Sequence, residues 1–200
     1  MDGRVSLSII TLFCLFALIF PGVVSSGSPV LDTEGILRTI AYYGPLLFLL
    51  VILQRSELRP QRPAVLDILL VFGLLAFTFG VGLALPSSDE SQLGLSPDAP
   101  PSIALLVVLA AVTASTEELF FRSWLLTRLP RLGLPGAAAA GFSVFAFAAA
   151  HAWQGVPAMV LAALSGAAYT AAYAYRRRIG PIIAAHILHN ALALILLLGR

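Results

Sequence analysis

Long apolar stretches separated by short polar connections account for most of the chain. A helix that crosses the hydrocarbon core of a bilayer needs about 20 predominantly apolar residues, and each stretch comes close to that length. The pattern therefore predicts an all-α fold, a polytopic membrane helix bundle of about seven transmembrane helices. The predicted spans are residues 6–24, 39–54, 65–85, 102 to about 126, 136–153, 156–175 and 179–198.

The first apolar stretch has two interpretations. It can be a membrane span. It can also be a secretory signal, because Arg4, an apolar run and then the small-residue segment PGVVSSGS describe a cleavable leader equally well. Cleavage would leave six transmembrane helices and the same orientation for the rest of the chain, so both interpretations remain open.

Charge alternates between successive connections. Arginines follow the second, fourth and sixth spans, whereas acids follow the third. Because short arginine-rich loops stay in the cytoplasm, the pattern places the N-terminus inside the cell and the C-terminus outside. The arginines concerned are Arg55, Arg59, Arg62, Arg128, Arg131, Arg176, Arg177 and Arg178.

One long polar loop divides the chain. Residues 86–101 contain four prolines and three acids, a composition typical of a linker. We therefore predict two parts. Residues 1–100 hold three N-terminal transmembrane helices and this Pro-rich acidic loop, and residues 101–200 form a four-helix membrane core with the candidate catalytic residues.

Composition supports a membrane protein. The hydrophobic fraction is 59%, the charged fraction 11% and the mean hydropathy +0.94, whereas a soluble domain has roughly 45–50% apolar and about 25% charged residues. All twelve basic residues are arginine and the net charge is only +2, so membrane lipid is an expected partner and nucleic acid is not. The single cysteine, Cys14, excludes an internal disulfide and a thiolate metal cluster.

Ionisable side chains within the spans are concentrated in the last four. Such groups are costly in a membrane, and they usually face a cavity or each other. Any one of them alone is explained by packing or ion pairing, but three neighbouring helices that all carry polar clusters favour a joint function. The residues are Glu117, Glu118, Arg122, His151, His186 and His189, with Asn190 beside them.

Helical spacing predicts which of these side chains can meet. Glu118 and Arg122 are one turn apart and can form an ion pair. Glu117 points about 100° away from Glu118 and needs a different partner. His186 and Asn190 are also four residues apart and project to the same side of their helix.

Three motifs in this region resemble those of a known family. EExxxR (Glu117, Glu118 and Arg122), FxxxH (Phe147 and His151) and HxxxN (His186 and Asn190) follow one another on successive predicted helices. In this order they resemble the CAAX prenyl protease and bacteriocin-processing (CPBP, or Abi) family of intramembrane proteases. The resemblance covers about residues 101–198. It implies an endopeptidase that cleaves a membrane-associated or lipidated peptide or protein.

The resemblance also implies catalytic roles. Glu117 would act as general base on a water molecule, and His151 would hold the same water and pass a proton to the leaving amine. His186 and Asn190 would donate hydrogen bonds to the oxyanion. Glu118 paired with Arg122 would orient Glu117, or Arg122 would meet a substrate carboxylate, and both alternatives remain open.

A metal is the alternative to this glutamate-type mechanism. Glu117, His151 and His186 would make a plausible zinc set with an open fourth position, and His189 could join them. The chain has no HExxH motif, however, and the same residues can act without metal. We therefore predict no cofactor and keep zinc as the minority alternative.

The depths of two candidate residues do not match at first. If the fourth span ends near residue 126, Glu117 and His151 differ in depth by about 10 Å, at 1.5 Å per residue. Either the fourth helix continues to about residue 129, or the HAWQGVP turn dips into the membrane.

Two other functions use the same residues. A proton-coupled transporter would relay protons through the buried carboxylates and imidazoles, although no repeated halves are visible. A catalytically inactive relative would serve as a membrane scaffold or as an immunity protein. In each case we expect an integral, multi-pass protein, and the short chain suggests a prokaryotic plasma membrane.

Overall fold

The computed structural model describes residues 3–24, 30–58, 62–85, 94–95 and 100–198. It is an all-α bundle, as predicted, with one pair of two-residue parallel strands, β1 (Val30–Leu31) and β2 (Gly94–Leu95). The α-helices are α1 (Gly3–Val24), α2 (Thr33–Gln54), α3 (Val65–Ala84), α4 (Ile103–Glu118), α5 (Leu125–Arg128), α6 (Gly136–Ala150), α7 (Val156–Arg176) and α8 (Ile179–Leu198).

Most of these helices can span a bilayer. Five helical segments of the described chain are long and apolar enough: Thr33–Gln54, Val65–Ala84, Ile103–Leu132, Val156–Arg176 and Ile179–Leu197. The other two predicted spans coincide with shorter apolar helices, Ser6–Ile19 within α1 and Gly136–Ala150. The predicted helical membrane bundle is therefore confirmed, and α6 is its short member.

Two predicted boundaries are wrong. The second span begins at Thr33 rather than at residue 39, because the Asp32 carboxylate caps α2 by accepting a hydrogen bond from the Gly35 N–H at 2.6 Å. The fifth span ends at Ala150 rather than at residue 153. The chain there enters a 3₁₀ turn and reaches Gly155 with φ +87°, a left-handed conformation that favours glycine.

The fourth span is longer than predicted. A π-helical turn, Leu119–Trp124 (the π turn), joins α4 to α5, and with the 3₁₀ turn that follows they form one segment of 30 residues, Ile103–Leu132. Its length is about 45 Å at 1.5 Å per residue, which puts Glu117 near the middle. Of the two ways to match the depths of Glu117 and His151, continuation of the helix is confirmed.

The core of the bundle lies around the π turn. Every residue from 118 to 125 is buried, although a helix at a protein surface buries only one stripe. Helices α2, α6, α7 and α8 all contact the π turn. The helical segment Ile103–Leu132, which contains EELFFR, is therefore at the centre of the described structure.

Helix α1 is attached to this centre by polar and apolar contacts. The Trp124 indole N–H donates to the Thr11 hydroxyl at 3.0 Å, and the Tyr42 hydroxyl donates to the Ala17 carbonyl at 2.7 Å. Cys14 and Leu18 are buried in the same apolar cluster as Trp124. Such packing is what a membrane span requires, while removal of the segment as a signal stays a prediction.

Ion pairs join the arginine-bearing connections at one end of the bundle. Arg128 pairs with Glu57 at 2.6 Å, and Asp67 pairs with Arg176 at 3.1 Å and with Arg178 at 2.7 Å. These contacts bring together the connections after the second, fourth and sixth spans. The alternation of charge along the sequence predicts that all three lie on the same membrane face.

We expect Thr11→Val to destabilise the protein by about 1–3 kcal/mol, because it removes the only side-chain acceptor that the described structure provides for the buried Trp124 N–H. Thermal unfolding in detergent measures the effect. Thr113→Val is the matched control, since the Thr113 hydroxyl bonds only to carbonyl groups of its own helix. Equal stability of the two variants would contradict the prediction.

Candidate active site

One carboxylate oxygen of Glu118, at the end of α4, contacts both an arginine and a histidine. Glu118 Oε1 lies 3.2 Å from Arg122 Nη1 and 2.7 Å from His186 Nδ1. The side chains of Glu118 and Arg122 are 0% exposed, and that of His186 is 7% exposed. The predicted ion pair between Glu118 and Arg122 is present, and a residue from α8 joins it.

Glu117 has the separate partner that helix geometry demands. Its Oε2 lies 3.8 Å from Nε2 of His186, so this imidazole stands between the two carboxylates of the motif. The distance exceeds that of a direct hydrogen bond. With its side chain 15% exposed, Glu117 is the more accessible of the two acids.

Both histidines of the family motifs are oriented through Nδ1. His186 Nδ1 meets the Glu118 carboxylate, and His151 Nδ1 meets the Phe147 carbonyl at 2.8 Å. Because a carbonyl or carboxylate oxygen only accepts, each Nδ1 carries the hydrogen and donates it. In neither ring does Nε2 take part in these bonds, so this atom remains available for chemistry.

The Phe147 ring connects the parts of the site. Its centroid lies 4.1 Å from Cζ of Arg122, 4.8 Å from the His151 ring and 6.0 Å from the His186 ring. An arginine over an aromatic face is stabilised by a cation–π interaction, which is stronger where water is excluded. Phe147 thus contacts a residue of each of the three motifs.

Arg122 is sealed inside the protein. Its side chain is fully buried, and none of its guanidinium nitrogens makes a hydrogen bond of good geometry within the described residues. It is held by the Glu118 charge and by the ring of Phe147. Of the two roles open for Arg122, this burial favours orientation of the carboxylate over contact with a substrate.

The close approach of α7 depends on a glycine. A Cβ atom on Gly166 would lie 3.0 Å from Cδ1 of Phe147 and 3.3 Å from Nη2 of Arg122. Contacts of that length to a Cβ are shorter than ordinary van der Waals separations. Any side chain at this position would push on the stack of Arg122 and Phe147.

Two candidate residues stand apart from these contacts. Asn190 is half-buried one turn beyond His186 and makes no hydrogen bond or ion pair with the described residues. His189 packs its ring against Phe79 of α3, with the centroids 4.8 Å apart. The oxyanion role of Asn190 stays a prediction.

Sequence reasoning missed several residues around the site. Tyr169 is buried, with its ring 5.5 Å from that of His186 and 5.6 Å from Cζ of Arg122. Gly166 lies three residues before Tyr169 on the same helix. Its small size was the only signal in the sequence that large side chains pack against it. Gln54 and Ser143 gave none, because their neighbours are far away in sequence.

The described residues do not assemble the zinc set that the sequence allowed. Glu117 and His186 are neighbours, but no group of three His, Cys, Asp or Glu side chains in this part of the protein could hold a metal ion. Two ligands are fewer than the three that catalytic zinc sites use.

The fold and the site describe an integral membrane helix bundle with a buried carboxylate–imidazole centre. Residues 99–192 match the family described as Type II CAAX prenyl endopeptidase Rce1-like. The resemblance to intramembrane proteases of the CAAX kind is therefore confirmed at the level of the family for residues 99–192. No match was found among curated proteins or among solved structures.

Gly166→Ala should destabilise the protein by about 1–3 kcal/mol, because the added methyl group overpacks the contact with Phe147 and Arg122. Thermal unfolding in detergent checks this. Gly141→Ala on α6 is the control, since a Cβ there meets nothing within 4 Å. The control should be neutral or gain about 0.5–1 kcal/mol from the better helix former. If both variants behave alike, the tight contact is not real.

Arg122→Met should cost about 3–5 kcal/mol, because it leaves the Glu118 carboxylate buried without its counter-charge. The double variant Glu118→Gln with Arg122→Met removes both charges and should recover a large part of that loss. Unfolding of both variants and of each single change gives the coupling free energy. Additive losses would show that the two charges are not coupled.

Proposed function

We propose that the protein is an intramembrane endopeptidase that hydrolyses a peptide bond of a membrane-associated or lipidated peptide or protein. The match of residues 99–192 to the Rce1-like family supports the reaction class. The observation that carries the proposal is the facing pair of Glu117 Oε2 and His186 Nε2, 3.8 Å apart. The separation exceeds that of a direct hydrogen bond, and the proposal places the attacking water next to this pair, where both atoms can contact it.

Glu117 is the general base. It is more exposed than Glu118, and no buried arginine occupies it as Arg122 occupies Glu118. As the water oxygen attacks the carbonyl carbon of the scissile bond, Glu117 takes the proton that the water loses. The product of this step is a tetrahedral intermediate with a negatively charged oxygen.

Stabilisation of the oxyanion falls to α8. His186 would donate to the oxyanion from Nε2, and the Glu118 carboxylate holds the ring in place through Nδ1. Asn190, one turn further along α8, supplies a second donor from its amide. Collapse of the intermediate breaks the bond between carbon and nitrogen.

The leaving amine needs one proton. His151 faces this task with Nε2, because its Nδ1 hydrogen is fixed on the Phe147 carbonyl. The proton taken by Glu117 passes to the amine nitrogen through this imidazole, so that one water is consumed and a carboxylic acid and an amine are released. Glu118 and Arg122 position these groups and touch no reacting atom.

The proposed mechanism uses no metal, and it is supported by the finding that no group of three His, Cys, Asp or Glu side chains among the described residues could hold a metal ion. The prokaryotic plasma membrane and the lipidated nature of the substrate are parts of the proposal that rest on the sequence pattern and on the family. The division at residue 101 into an N-terminal part and a catalytic part is retained on the same grounds.

Glu117→Gln should lower the rate of peptide cleavage by about 10²- to 10⁴-fold, because a carboxamide cannot take the proton from water. The assay uses purified protein in liposomes with membrane-anchored and prenylated peptides, and mass spectrometry identifies the products. Glu34→Gln is the matched control, since Glu34 is exposed at the start of α2 and lies outside the site. It should keep full activity.

The same preparations separate the rival functions. A proton flux that Glu117→Gln abolishes, without any cleavage, would identify a transporter. Absence of both cleavage and flux in the unmodified protein would leave a scaffold or an immunity protein. Loss of cleavage on chelation, with recovery on addition of zinc, would replace the glutamate-type mechanism by a metal-dependent one.

A further inference from the structure

Two buried side chains from different helices bond to the backbone of the π turn. The Gln54 amide, at the end of α2, donates to the Leu119 carbonyl at 3.3 Å. The Ser143 hydroxyl, in the middle of α6, donates to the Phe121 carbonyl at 2.6 Å. Both side chains are 0% exposed, so neither can exchange these bonds for water.

The position of these bonds relates them to the site. The π turn starts directly after Glu118 and contains Arg122. Its bonds run from residue i to i+5, as the Leu125 N–H shows by bonding to the Phe120 carbonyl. A π turn inserts one extra residue into the helix and is frequent at functional sites. If the π turn became an ordinary α-helical turn, the parts of the helical segment before and after it would rotate against each other by about one residue, or about 100°.

Such a rotation would separate the groups that meet at the site. Glu117 and Glu118 lie before the π turn, whereas Trp124 and Leu125 lie after it and pack in the central core. The π turn thus allows the acids to face His186 while the following residues keep their own contacts. Bonds that hold the turn also hold the direction of both carboxylates.

We infer that Gln54 and Ser143 are positioning residues that fix the π turn and thereby aim Glu117 and Glu118 at His186. The catalytic meaning of this inference rests on the proposed function. Gln54 lies outside the family match at 99–192, so the N-terminal half of the chain contributes to the site.

A substitution of Gln54 can show whether this residue positions the carboxylates or only stabilises the fold. Its Oε1 is buried and has no hydrogen-bond partner among the described residues. Replacing Gln54 by methionine removes one bond to Leu119, and it also removes a buried acceptor that nothing satisfies. These two effects on stability oppose each other, whereas the effect on the π turn has no compensation.

The test compares Gln54→Met and Ser143→Ala with Ser165→Ala in the full-length protein. Ser165 is also buried, but its hydroxyl bonds only to the Leu161 and Ala162 carbonyls of its own helix. Gln54→Met and Ser143→Ala should lower kcat for peptide cleavage about tenfold to a hundredfold and leave KM unchanged. Ser165→Ala should keep kcat, and Gln54→Met should unfold at the same temperature as the unmodified protein.

A readout without substrate uses the three histidines. Nuclear magnetic resonance of isotopically labelled histidine reports the Nδ1–H of His186 that is bonded to Glu118. This signal should move in Gln54→Met and in Ser143→Ala and stay in place in Ser165→Ala. Because both residues act on one turn, the combined variant should change kcat by less than the product of the single changes.

Each outcome decides the inference. An unmoved His186 signal in both variants, or a kcat that falls only in proportion to lost folded protein, would overturn it. If the unmodified protein cleaves no peptide, the proposed function fails, while the histidine signals still establish whether Gln54 and Ser143 position the carboxylates.

Discussion

The buried positive charge of Arg122 is the constraint on which the arrangement of the site depends. A guanidinium without water requires an opposite charge and a polarisable surface, and Glu118 and the Phe147 ring provide them. Glu118 must then face inward, where it also accepts from His186. One charge in the centre of the bundle therefore determines the direction of an acid, a ring and an imidazole.

The surrounding helices are shaped to accommodate this charge. Helix α7 approaches through Gly166, which leaves the space that Phe147 and Arg122 occupy. Helices α2 and α6 send Gln54 and Ser143 to the backbone carbonyls next to it. The two acids that precede the π turn consequently have different environments: the Glu118 side chain is fully buried, whereas that of Glu117 is partly exposed.

Sequence periodicity was sufficient for the architecture and for the local pairs. Apolar length predicts the spans, and a spacing of four residues predicts the contact of Glu118 with Arg122, because both depend on one helix at a time. Seven spans were predicted, and the structure adds that two of them correspond to shorter apolar helices. Composition also fixed the membrane class, since a soluble core cannot explain so many apolar residues.

Features that depend on contacts between several helices could not be predicted from the sequence. The π turn has no signature in LFFRSW, because bonds from other helices stabilise it. The place of His186 between both acids requires α4 and α8 to be in register, and the end of α6 at Ala150 depends on the turn at Gly155. Such details arise from the packing of several helices, and the periodicity of a single helix contains no information about that packing.

The short α6 has a consequence for the surrounding lipid. Its 15 residues measure about 22 Å, whereas the hydrocarbon core of a bilayer is about 30 Å thick. We therefore expect the bilayer to be thinner next to this helix, with lipid headgroups closer to the end that carries His151. Such local thinning would shorten the path of water and polar peptide groups through the hydrocarbon core. It would also make the activity of the protein depend on the thickness of the membrane.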